Sequence, residues 1–144
     1  MPPKYCVSMI DHITLTTSGQ GLYEITQELR AMVVTSGIKD GLMTVMIQHT
    51  SASLTVQENA DPTARRDLEH WLARLVPEND PLYKHTCEGP DDMPAHIKSA
   101  LTDVSLSIPI VNGAPALGTW QGVFVWEHRK SPHRRKMVIH LYGD

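Results

Sequence analysis

Residues 7–16, VSMIDHITLT, alternate roughly between apolar and polar side chains, the period of a strand with one face buried. Leu22, Ile25, Leu29, Met32 and Val33 then fall at helical spacing, and Gly37 follows where a helix C-terminal glycine belongs. Residues 42–48, LMTVMIQ, form an apolar run of strand length, and SLTVQE (53–58) reads as a further strand. Asp61-Pro62 is a strong helix start, with a capping side chain ahead of a proline at the first turn. Ala64, Leu68, Trp71, Leu72 and Leu75 continue it as one apolar stripe, and Pro77 ends it. Residues 78–90 read as a loop, after which Asp91 or Asp92 caps a short helix carrying Pro94, Ile97, Ala100 and Leu101. From 104 onward the pattern is of strands: VSLSIPI, TWQGVFVWEH and KMVIHLY, joined through Asn112-Gly113 and through HRKSPHRRK at 128–136. Strands and helices do not alternate regularly, so a doubly wound parallel sheet is disfavoured. The expectation is an α+β domain with antiparallel sheets.

Length and composition narrow the classes. A chain of 144 residues with 41% hydrophobic and 20% charged side chains suits one globular domain over residues 1–144. Its net charge of −3 gives no general attraction to nucleic acid, and no apolar stretch approaches the roughly 20 residues of a membrane helix. The opening MPPKYCVSMIDHITL lacks the zones of a secretory signal, so a cytoplasmic location is expected, with Cys6 and Cys87 as free thiols. Eight histidines are many for this length and give the first hint of chemistry.

The candidate chemistry gathers at a few places. His49 closes an apolar strand, where a rigid scaffold meets a loop. Glu58 and Asn59 precede the helix start at Asp61, whose amides favour anions. His85, Cys87, Glu88, Asp91, Asp92 and His96 crowd one bend of the chain, and imidazoles with carboxylates suit zinc, manganese or iron. The same bend also reads as an acidic helix cap with an incidental histidine. Gly118, Thr119, Trp120 and Gln121 set a bulky indole close to two glycines, which marks a close approach of a ligand or of another subunit. Glu127-His128 leads into a basic run in which Arg129 and Arg135 offer forked guanidinium groups to a phosphate; a solvated hairpin tip explains the run equally. Phosphate-loop, dinucleotide-binding and nucleophile-elbow motifs are missing, and no organic cofactor is expected.

Three segments in order, HTSASLTVQENADP, EGPDDMPAHIKSAL (with His85 ahead of it) and SLSIPIVNGAPALGTWQGVFVWEHR, resemble the signature of the YjbQ-like proteins, also called the secondary thiamine-phosphate synthase family. The resemblance runs from about residue 8 to the end. It implies an α+β fold with a β-sandwich, a homotrimer, and a polar pocket to which His49, Glu58, Asn59, His85, His96, Glu127 and His128 carry over. Asp92 stands where the family pattern has asparagine. The activity implied is a weak thiamine-phosphate synthase, which joins a pyrimidine diphosphate to a thiazole phosphate and releases pyrophosphate. A departing pyrophosphate needs positive charge. His49, His85 and His96 holding zinc or magnesium, Arg129 or Arg135, or the amides near Asp61 would each supply it. A metal-dependent phosphate-ester hydrolase and a non-enzymatic binding module for a small phosphorylated metabolite are the alternatives.

Overall fold

The computed structural model describes residues 5–144. In chain order the elements are β1 (Val7–Thr17), β2 (Gly21–Glu24), α1 (Thr26–Ser36), β3 (Gly41–Ile47), β4 (Ala52–Glu58), α2 (Pro62–Leu75), α3 (Asp92–Leu101), β5 (Ser105–Val111), β6 (Ala114–Pro115), β7 (Gln121–Glu127) and β8 (His133–Gly143). They form an α+β fold with two antiparallel sheets. One has five strands in the order β1-β8-β3-β5-β6, and the other has three in the order β2-β7-β4.

The sheets bury their faces to different extents. In β3 the buried positions Met43, Val45 and Ile47 alternate with exposed or half-buried ones. In β8, Met137, Ile139 and Leu141 do the same, and Ile108 and Ile110 follow on β5. These residues meet Ala52 and Leu54 of β4, Val123 and Val125 of β7, and Ile25, Leu29 and Val33 at and along α1, in one core. The three-stranded sheet is covered on its other side too. Leu22, Phe124 and Trp126 pack there against Leu72 of α2 and Val76 beyond it. That double burial explains why β7 reads as a continuous apolar run rather than an alternating one, the pattern of a strand with no solvent face.

Two local readings need correction. Leu22 belongs to β2 and pairs with Trp126; the helix begins only at Thr26, with Leu29 and Val33 as its buried stripe. Leu22 fitted the helical spacing by coincidence, because one position in a short strand carries no period of its own. Asp91 precedes α3 but makes no side-chain capping bond. By contrast, Gly37 ends α1 in the left-handed conformation at φ 70°, and Asp61 caps α2 by accepting a 2.9 Å hydrogen bond from the Thr63 amide.

Candidate functional site

The loop before α3 and the first turns of that helix build the centre. Asp92 and His96 are four residues apart on the helix, so both project from one face. The preceding loop brings His85 back over them. Its Nε2 lies 2.6 Å from Asp92 Oδ2, and the two imidazole centroids are 5.3 Å apart. His85, Asp92 and His96 each present a ligand-type atom within 4.8 Å of the others. Asp92 is 2% exposed at the base of the group, whereas the side chain of His85 is 47% exposed at its mouth.

The carboxylates are held from a distant strand connection. Arg129 donates from Nε to Asp91 Oδ2 at 3.0 Å, from NH1 to Asp92 Oδ1 at 2.7 Å and from NH2 to the Glu88 carbonyl at 2.9 Å. The Lys130 amide adds a 2.9 Å bond to Asp91. This network is why neither aspartate caps the helix: a guanidinium is a stronger partner than the first-turn amides. Burial works against ionising Asp92, yet the His85 hydrogen bond and the His96 and Arg129 charges hold its carboxyl below the usual range. Asp91 is lowered as well, against its own burial, by the Lys130 amide and Arg129.

Proton accounting at His96 is informative. Its Nδ1 lies 2.8 Å from the Thr50 carbonyl oxygen, which only accepts, so Nδ1 carries the proton. In the neutral ring Nε2 is then a bare lone pair, and it points at Asp92 Oδ2 from 3.1 Å. Two acceptors at that distance are relieved by a second ring proton, which makes the pair an imidazolium–carboxylate bridge, or by a metal cation shared between them. A backbone carbonyl that fixes the tautomer of a histidine is also the usual outer support of a metal-ligating imidazole. Two imidazoles and one carboxylate with an open side suit zinc or a similar transition ion, and they suit magnesium poorly because it favours oxygen donors. The residues present therefore fit a divalent metal.

The structure gathers Asp92, rather than the His49 expected from the sequence, with His85 and His96. The His49 Nε2 lone pair accepts the Lys136 amide at 2.8 Å, and Arg135 NH1 stands 3.4 Å from Nδ1. Burial and the Arg135 charge lower its pKa. His49 does share a shallow cavity of about 230 Å³ with His96 and Thr50. On the far side of the centre, His85 lines a cavity of about 350 Å³ with Tyr83, Asp80 and Met93.

The remaining candidates are occupied elsewhere. Glu127 is 1% exposed. It accepts from Thr17 Oγ1 at 2.6 Å, from Arg135 Nε at 2.8 Å, from Arg135 NH2 and from the Arg129 amide at 3.2 Å. Burial would raise its pKa, but these partners hold it down. Arg135, 3% exposed, also donates to Ser51. Both arginines are committed to carboxylates within the fold: Arg135 is bound to Glu127 and Arg129 to Asp91 and Asp92. His128, 1% exposed, sits 2.8 Å from Ser53 Oγ, and burial pushes its pKa down to about 3.

The glycine-tryptophan segment is built around a turn. The Gly118 amide donates to Gln121 Oε1 at 2.7 Å, and Asn59 bonds both the Trp120 carbonyl and Glu24. A Cβ on Gly122 would stand 2.5 Å from Glu24 Oε2, so only glycine fits there. Trp120 is exposed, Thr119 and Glu58 flank the same turn, and no hydrogen bond joins this segment to the histidine centre. The place of Asp92 in the cluster was hidden because its position reads as a helix start. The Asp92–His96 spacing was the available signal, since it places two ligand types on one helical face.

Comparison with known proteins agrees with this architecture. The family model described as UPF0047 protein YjbQ-like matches residues 11–144. A UPF0047 protein of Synechocystis is 53% identical over 92% of this chain and 90% of its own length. The UPF0047 protein YjbQ of Escherichia coli O157:H7 is 41% identical over 92% and 96%. A crystal structure of a yjbq/upf0047 family protein from Clostridium acetobutylicum superposes with a TM-score of 0.84 at 37% identity, covering 91% of this chain and 98% of that one. A YbjQ-like protein from Sulfolobus solfataricus shares the fold at a TM-score of 0.88, 22% identity and 97% and 100% coverage. With a matching family model over nearly its whole length and close relatives on both sides of it, the chain belongs to the UPF0047, YjbQ-like family.

Proposed function

We propose that this protein is a divalent-metal-dependent enzyme acting on a small phosphorylated substrate, with the metal held by His85, Asp92 and His96. The observation that supports it is the His96 Nε2 lone pair directed at an ionised Asp92 from 3.1 Å, an arrangement that a bound cation satisfies. A metal bound there would supply Lewis-acid charge to a phosphate or pyrophosphate oxygen. The chain's own residues do the rest. Arg129 fixes the Asp92 carboxylate, the Thr50 carbonyl fixes the His96 ring, and His85 faces the cavity in which a substrate would lie.

The reaction we put first is the one the family resemblance implies: displacement of pyrophosphate from a pyrimidine diphosphate by a thiazole phosphate, giving thiamine phosphate at low efficiency. The test incubates the protein with both precursors and zinc or magnesium, with and without chelator, beside His96→Ala. Product that needs both metal and His96 supports the reading, and its absence above the His96→Ala background rejects it. A second reading keeps the centre and changes the reaction to phosphate-ester hydrolysis. Three protein ligands and an open side favour it, since that is the arrangement that activates a water. Chelator-insensitive turnover in a phosphate-ester screen would count against it. Ligands that stabilise the protein without being converted would instead make it a binding module.

The partner we propose is a second and third copy of the chain in a cytoplasmic homotrimer. Ile10, Leu42, Met46 and Tyr142 are exposed on strands of the five-stranded sheet, an apolar surface that association would cover. Light scattering should return about three times 16.1 kDa, and a monomer at micromolar concentration would refute it.

A further inference from the structure

Lys98 lies on α3 two residues beyond His96, a turn of about 200° that takes it away from the histidine centre. It is 6% exposed, yet among the described residues its Nζ has no hydrogen bond or ion pair. The carboxylates that influence it are already engaged: Glu78 by Lys130 and Asp91 by Arg129. Lysine is rarely buried without a partner, because its donors lose water and gain nothing in return.

A second unpartnered nitrogen lies in the same place. The Thr102 hydroxyl donates to Ser53 Oγ at 2.6 Å and also stands 2.7 Å from the Lys98 carbonyl. Ser53, accepting from Thr102, directs its own proton at His128 Nε2, 2.8 Å away. The neutral ring then carries its hydrogen on Nδ1, and among the described residues that N–H has no acceptor. Among the described residues Arg65 Nε is the one fully enclosed side-chain nitrogen or oxygen with no partner, so Lys98 Nζ and His128 Nδ1 are not sealed. Both residues line a cavity of about 180 Å³ with Gln20, Glu69, His70 and Trp126.

We propose that this cavity binds a small hydroxycarboxylate, with its carboxylate on Lys98 Nζ and its hydroxyl accepting from His128 Nδ1–H. The volume has room for roughly six water-sized units at about 30 Å³ each, which suits a compact ligand. One cationic donor and an imidazole N–H share the cavity with the carboxylate of Glu69, whose Oε1 already accepts the Leu22 amide. That balance favours a singly charged anion with hydroxyl donors over a phosphate dianion. Trp126 supplies an apolar wall.

The test titrates D-glycerate into the metal-free protein by calorimetry, with acetate (charge without hydroxyl), glycerol (hydroxyl without charge) and glycerol 3-phosphate in parallel arms. Glycerate should bind at least about tenfold more tightly than each of the other three. Lys98→Met should lose at least about tenfold in glycerate affinity while unfolding at the same or a higher midpoint, because it removes an unpartnered buried amine. His85→Ala, which disables the proposed metal centre, should bind glycerate as the wild type does, so failure of the metal reading and failure of this one are told apart. Undetectable glycerate binding, binding that survives Lys98→Met, or a preference for glycerol 3-phosphate would each overturn the assignment.

Discussion

The segment Glu127-His128-Arg129 feeds two polar networks that use the same chemistry to different ends. Glu127 joins Arg135 in a nest where both side chains are at most 3% exposed. Arg129 joins Asp91 and Asp92 in a looser nest: Asp92 is 2% exposed, but Asp91 and Arg129 are 11% and 14% exposed, and the outer wall is the 47% exposed His85. In the first, every acceptor site of the carboxylate is filled from within the fold, by Thr17, Arg135 and the Arg129 amide. In the second, Asp92 Oδ2 is shared between the rings of His85 and His96, and His85 opens to solvent. A sealed carboxylate–arginine pair orders the chain. The same pair with one side left open becomes a place for a ligand, because the unmet demand of its acceptors is what a cation satisfies.

The largest break in that comparison comes from the sealed nest. Glu127→Ala strands Arg135 in the core and should cost about 3–5 kcal/mol of stability by urea unfolding; a loss under 1 kcal/mol would show that the nest is not sealed. Acid should act on the same region. His128 has a pKa of about 3 in the folded protein and about 6.5 when unfolded, so the unfolded chain binds the extra proton between those values. Its contribution is complete above about pH 6.5 and is lost as pH falls toward 3, at up to about 1.4 kcal/mol per pH unit. Glu127, also lowered, adds to the loss at the acid end. A stability profile flat from pH 7 to pH 4 would contradict the neutral, buried histidine.

The open nest should respond in function more than in stability. Asp92→Asn keeps the volume and leaves Arg129 its bonds to Asp91 and the Glu88 carbonyl. The expected cost is about 1–2 kcal/mol of stability, with zinc affinity reduced at least 100-fold by competition titration, since a charged ligand is lost. Equal zinc uptake by wild type and variant would remove Asp92 from the ligand set. The smallest effect belongs to an ion pair outside both nests. Lys130 Nζ meets Glu78 at 2.6 Å, but the lysine is 60% exposed, so Lys130→Ala should change stability by less than about 0.5 kcal/mol.

Much of this was determined by the sequence alone. Strands with one solvent face, such as β3 and β8, declare themselves through alternation, and Asp61-Pro62 and Gly37 mark helix ends through local chemistry that needs no distant partner. The crowding of His85 and His96 at one bend was legible for the same reason. Tertiary structure decided the rest. Leu22 became strand because Trp126 was there to pair with it, and Asp91 abandoned the cap because Arg129, 38 residues away in sequence, offered a charged partner. His49 took a backbone amide of β8 as its partner, and Lys98 gave no sign of burial because a lysine on an amphipathic helix reads as solvent-facing. Local signals follow from torsion and periodicity. Which lone pair is left unfilled depends on groups that only the folded chain brings within 3 Å of one another.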